Sequence, residues 1–190
     1  MNREEAFKLI QEKIQNQNLI KHCLAVEACM KEFAAHFNEH PAFGGTSIEK
    51  WGLAGLLHDI DYELTKDNLQ QHSIIGAEML EKSGLDKEIC DAVRTHNEMH
   101  GIKPETLMAK VLLPVDPLTG LIIASTLVLP SKKIIDVTAE NILNRFKEKG
   151  FAKGASREII SKCSETGLTL EQFVEIGLEA MKGIAGKLGL

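Results

Sequence analysis

Apolar residues recur along this chain at intervals of three and four. Leu19, Cys23, Val26, Met30, Phe33 and Phe37 share one face of a helix, Ile89 and Val93 repeat the period, and Phe173, Ile176, Ala180 and Ile184 repeat it again. The pattern breaks where turn chemistry accumulates, which predicts connections at Pro41 to Gly45, Gly84, Gly101 to Pro104, Pro130 to Lys133, Gly150 to Gly154 and Gly167. Thr169-x-x-Gln172 predicts a capping box, and Ser156 predicts an N-cap for the helix before it. No run alternates with period two, β-branched residues cluster only at Ile134 to Val137, and there is no internal repeat. The expected fold is all-α, a single domain around one core.

One stretch raises a different possibility. Val111 to Pro130 is nearly all apolar and, at about 20 residues, long enough to span a bilayer. Asp116 between Pro114 and Pro117, with Gly120 following, favours a buried, kinked core helix instead, and no membrane partner is expected. Composition fits that view: of 190 residues 44% are hydrophobic and 26% charged, enough for a sizeable core without disulfides. Cys23, Cys29, Cys90 and Cys163 form no CxxC pair and read as small hydrophobes in a reducing compartment. Met1 to Glu5 runs straight into an amphipathic segment without a targeting pattern, so a cytoplasmic location is expected. The net charge of −5 argues against a nucleic-acid partner.

The apolar faces carry residues that do not belong in an ordinary core. His22 lies three after Leu19 and four before Val26, and His96 lies three after Val93. His72 stands three before Ile75 at the expected start of a helix, Asp116 stands four after Leu112, and His58-Asp59 closes the apolar run from Leu53. A lone histidine on an apolar face is more often a hydrogen-bonded core residue. A lone inward-facing carboxylate is costly without a cation, and Asp116 has no basic residue within a turn. Taken jointly, imidazoles and carboxylates arriving from five segments point to a shared divalent metal; Fe, Mn, Zn, Co and Ni all suit such ligands.

The order His22, His58-Asp59, Asp116 resembles the HD-domain superfamily of metal-dependent phosphohydrolases. Gly55-Leu56-Leu57-His58-Asp59-Ile60 looks like the helix end that carries the family's dipeptide, and His72-x-x-x-Gly76-Ala77 looks like the helix after it. His96-Asn97-Glu98 is similar to its HHE element, and Asp116-x-Leu118-Thr119-Gly120-Leu121-Ile122 to its closing helix. The resemblance covers residues 18 to 126, with 131 to 190 as a C-terminal helical extension. It implies an α-helical bundle that hydrolyses a nucleotide or another small phosphate ester or anhydride by a metal-activated hydroxide. His22, His58, Asp59 and Asp116 would hold one ion. His72 and His96 would add a second, with Asp59 bridging, and His58 and Asp59 as the catalytic pair. Two ions against two acids and one hydroxide leave a formal charge of about +1, able to hold a phosphoryl anion.

The chain also departs from the family pattern. Ile60-Asp61-Tyr62 stands where many relatives have Ile-Gly-Lys, and Asn97 replaces a second histidine. Tyr62, Asn97, Lys153 and Arg157 are therefore the candidate substrate contacts, the last two from a basic cluster with Lys147 and Lys149 whose commoner role is a solvated face. Glu63 and Asp67 faintly resemble acids of the deoxynucleotidase branch, although solvated loop acids are the plainer reading. A non-catalytic HD-fold sensor is the alternative function, and the C-terminal helix can pack on the domain or on a second subunit as a homodimer.

Overall fold

The computed structural model describes residues 1–38 and 47–190. The connection expected at Pro41 to Gly45 lies outside the described residues. Among them there is no strand, as the period of three and four requires. Helix α1 (Arg3–Lys13) is followed by the long α2 (Gln17–Asn38), and α3 (Ile48–Leu57) lies along α2. Cys23, Val26, Met30, Phe33 and Phe37 of α2 are all buried. The approach of α3 is close because Gly55 faces α2; a Cβ there would sit 2.7 Å from the Val26 carbonyl oxygen.

A single turn, α4 (Tyr62–Thr65), and a run of turns lead to α5 (Ile74–Lys82) and α6 (Lys87–Thr95). The apolar stretch forms α7 (Leu107–Leu127), one helix that runs unbroken through Pro114 and Pro117. It is the described helix long and apolar enough to cross a membrane, and 61% of its apolar window is buried inside the fold. α7 packs against α2, α6 and the C-terminal helices.

Those helices are α8 (Ala139–Lys147), α9 (Arg157–Ser161), α10 (Leu170–Lys182) and α11 (Ala185–Leu188). The expected caps are present: Ser156 accepts from the Ile159 amide, and Thr169 and Gln172 form a reciprocal box. The β-branched cluster Ile134 to Val137 is a 3₁₀ turn that buries Ile134 and Val137. Phe173 of α10 meets Phe33 of α2 with ring centroids 4.3 Å apart, joining the C-terminal helices to the same core. All four cysteines are buried and unpaired.

Candidate metal centre

The six ligand candidates arrive at one place from five segments. His22 projects from the middle of α2 and Asp116 from the middle of α7. His58 and His96 occupy the positions just past the ends of α3 and α6, where helix carbonyls lack intrahelical donors. Each imidazole uses one of them: Nδ1 of His58 donates to Gly55 O at 2.8 Å and Nδ1 of His96 to Val93 O at 2.6 Å. His72, expected to begin a helix, instead lies two residues before α5, and Ser73 after it has a φ of 72°.

The other two histidines are oriented in the same sense. His72 donates its Nδ1 proton to Asp61 Oδ1 at 2.9 Å. The Thr119 hydroxyl donates to Asp116 O at 2.9 Å, which leaves its oxygen to accept from His22 Nδ1 at 3.1 Å. Every Nδ1 thus meets a hydrogen-bond partner away from the centre, and every Nε2 faces the centre. The Nε2 atoms of His22 and His58 are 3.1 Å apart, and those of His72 and His96 are 3.2 Å apart. Unprotonated Nε2 atoms at these distances suit a shared cation, and outward Nδ1 bonds are the support that metal-bound imidazoles need. The donor set therefore fits divalent ions held by nitrogen and oxygen.

Asp59 divides the set in two. Its Oδ2 lies 3.4 Å from His58 Nε2 and 3.6 Å from His22 Nε2, while its Oδ1 lies 3.2 Å from His72 Nε2 and 3.6 Å from His96 Nε2. Asp116 Oδ1 joins the first half, 3.1 Å from His22 and 3.9 Å from His58. One carboxylate thus turns one oxygen to each histidine pair. Asp116, expected to be buried, is about a third exposed and opens on the cleft.

These surroundings displace the titrations. Burial pushes His58 down to about 4. Burial also opposes charge on His72, but its hydrogen bonds to Asp59 and Asp61 outweigh that and raise it to about 9. In the metal-free protein His72 stabilises the fold below its ordinary value of 6.5, and that contribution is lost as pH rises through 9. His58 works in reverse: its contribution is present above 6.5 and is lost as pH falls through 4. Metal-free protein should accordingly be most stable near pH 6.5, with the melting temperature falling on both sides. Bound ions displace the His72 proton, so Mn²⁺ should abolish the alkaline decline. Melting curves from about pH 4 to 9, with EDTA or Mn²⁺, test this; an alkaline limb unaffected by metal would refute it.

A cleft of about 890 Å³ opens over the centre, lined by Asn16, His22, Asp59, Tyr62, Lys66 and Asp116 among others. A second hollow of about 320 Å³ meets it at His22, Asp116 and Gly154. Of the candidate substrate contacts, Tyr62 lines the cleft, its ring set perpendicular to that of His72 at 5.3 Å. Arg157 does not: its five N–H donors go to the carbonyls of Phe146, Ala152, Ala155, Arg145 and Phe151, leaving none for phosphate. It shapes the connection that carries Gly154 to the cleft rim. Lys153 is exposed and does not line the cleft. Asn97 is occupied with the carbonyls of Leu69 and His72 and the Met99 amide. Glu63 accepts from the Gln15 and Asn16 amides at 2.9 and 2.7 Å, which hold its carboxyl below the usual range, and Asp67 is exposed.

Three residues at the site were not singled out from the sequence. Asp61 is fully buried and accepts from His72, the Ser73 amide and the Gly76 amide. Its one visible sign was its place two after Asp59, where many relatives have glycine. Thr119, which orients His22, lay inside the closing motif as an ordinary polar residue. Lys66 lines the cleft from just past α4 and was hidden in a polar loop.

A family model for the HD domain matches residues 19–125, and the chain belongs to that family of metal-dependent phosphohydrolases. Among curated proteins it is similar to Ribonuclease Y of Lawsonia intracellularis, 33% identical over 146 residues, 75% of this chain and 26% of that protein. Ribonuclease Y of Nitratidesulfovibrio vulgaris (strain DP4) is 32% identical over 55% of this chain and 18% of its own length. Ribonuclease Y of Geobacter metallireducens is 27% identical over 91% of this chain and 32% of its own. The chain thus spans less than a third of the length of these relatives. No solved structure matches it. These relatives overturn the expectation of no nucleic-acid partner. Net charge averages the whole surface, whereas a strand in the cleft would meet only the local field of the centre and Lys66.

Proposed function

We propose that this chain hydrolyses phosphodiester bonds of single-stranded RNA at a two-ion centre. The observation that carries the reading is Asp59, whose two oxygens each face a separate pair of imidazole Nε2 atoms. His22, His58 and Asp116 would hold one ion, His72 and His96 the other. Bound there, divalent ions supply Lewis acidity and acidify a water near neutral pH. The protein's own part is to aim the four imidazoles and to bridge the two halves with Asp59. The open cleft, continuing past His22 and Asp116 into the second hollow, suits a substrate that extends both ways from the reacting phosphate. The ribonuclease names of the relatives support RNA over a small phosphate ester.

The intact ligand set speaks against a non-catalytic sensor, which has no need of six converging side chains. The test is to load the purified chain with Mn²⁺, Fe²⁺ or Zn²⁺, quantify the bound metal, and offer labelled single-stranded RNA, single-stranded DNA, cyclic nucleotides and nucleoside monophosphates. Metal-dependent cleavage of the RNA is expected. No RNA cleavage by metal-loaded protein would overturn the reading, and turnover of monophosphates alone would return it to a small-molecule phosphatase.

A further inference from the structure

We infer that the segment around α4 forms a nucleotide subsite in which Lys66 holds the backbone phosphate next to the scissile one and Tyr62 stacks the adjoining base. The inference rests on the RNA reading above. Lys66 is the one ammonium or guanidinium among the described residues that line the cleft. Some lysines elsewhere are paired with acids, as in Lys31 with Glu27 and Lys50 with Asp86 and Glu88, and others, such as Lys8 and Lys132, are exposed but do not line the cleft. Lys66 enters no ion pair among the described residues, and Glu63, also on the cleft wall, accepts two backbone amides at one of its carboxylate oxygens. An exposed, unpaired cation beside an anion-processing centre is placed to take a second phosphate.

Tyr62 precedes Lys66 by one helical turn, about 6 Å along the axis. Tyr62 is 38% exposed, and the perpendicular contact of its ring with His72 sets it beside the half formed by His72 and His96. A partly exposed aromatic ring set between a reacting phosphate and a cation is the arrangement that holds a single strand through stacking and charge. Stacking accepts every base, so the subsite should be sequence-tolerant.

The test is binding of a fluorescein-labelled RNA oligonucleotide with phosphorothioate linkages to Mn²⁺-loaded full chain, read by anisotropy across a KCl titration. Lys66→Ala should weaken binding about three- to tenfold at low salt and reduce the slope of log K against log salt by about 0.7, one phosphate's worth. Lys66→Arg should restore both, and Lys8→Ala, an equal charge loss on an exposed face of α1, should change neither. Tyr62→Ala should weaken binding about tenfold with the slope intact, and Tyr62→Phe should bind as the unmodified protein does. If the unmodified protein binds and cuts RNA while Lys66→Ala keeps the full salt slope, the subsite is wrong and the RNA reading stands. If the unmodified protein neither binds nor cuts RNA, the RNA reading fails and the subsite with it.

Discussion

Asp59→Ala should lower RNA turnover by about three orders of magnitude and leave the protein nearly free of bound metal. No other side chain here faces both histidine pairs, with Oδ2 3.4 Å from His58 and Oδ1 3.2 Å from His72. Its removal deletes the bridge and leaves each half with too few anionic ligands to offset a divalent ion. Asp59→Asn is the more informative variant. The amide offers one oxygen where the carboxylate offers two, so one half of the centre would keep an oxygen ligand and the other would lose it. Elemental analysis should find about one ion per chain in Asp59→Asn and close to none in Asp59→Ala, with activity severely reduced in both. Full metal content together with full activity in Asp59→Ala would rule out the bridging arrangement.

The second large effect is expected at a residue that need not touch metal or substrate. Asp61 is fully buried and makes three acceptor contacts, with His72 Nδ1 at 2.9 Å, Ser73 N at 2.9 Å and Gly76 N at 2.7 Å. It caps the first turn of α5 from outside that helix and aims the His72 ring at the same time. Asp61→Ala leaves two buried amides and an imidazole N–H without acceptors, and should cost about 3–5 kcal/mol of stability. Metal affinity should fall about 10- to 100-fold as well, because the ring loses the partner that fixes its tautomer. Urea unfolding combined with Mn²⁺ titration measures both. A variant as stable as the parent, with unchanged Mn²⁺ affinity, would show that Asp61 is a bystander.

Asp61 also shows how far the sequence could be read. The ligand candidates were legible because each sits at a helical phase or a helix end that periodicity exposes: His22 with Leu19 and Val26, His96 with Val93, Asp116 with Leu112. What orients them was not legible. The acceptors of the four Nδ1 protons are two carbonyls three residues upstream, a carboxylate eleven residues upstream and a hydroxyl ninety-seven residues downstream. Only the first kind is local enough to follow from helix geometry. Arg157 failed for a related reason: spacing reports that a guanidinium is present, and only the path of the chain from Arg145 to Ala155 shows five carbonyl oxygens turned toward it. Lys66 escaped notice because what distinguishes it is an unpaired position on the cleft wall.

The descent of the centre from five separate segments bears on how the protein is made. During synthesis His22 and His58-Asp59 emerge well before Asp116, and α7 must then dock against α2 and α6 before both halves are complete. A nascent chain can offer a passing ion only isolated imidazoles, which bind weakly. Loading would therefore wait on tertiary assembly, and ions held by the proposed ligands would cross-link α2, α3, the turn before α5, the end of α6 and α7 like staples. Metal content would then act as a certificate of completed folding, and chelation would loosen the bundle at its middle rather than at its ends.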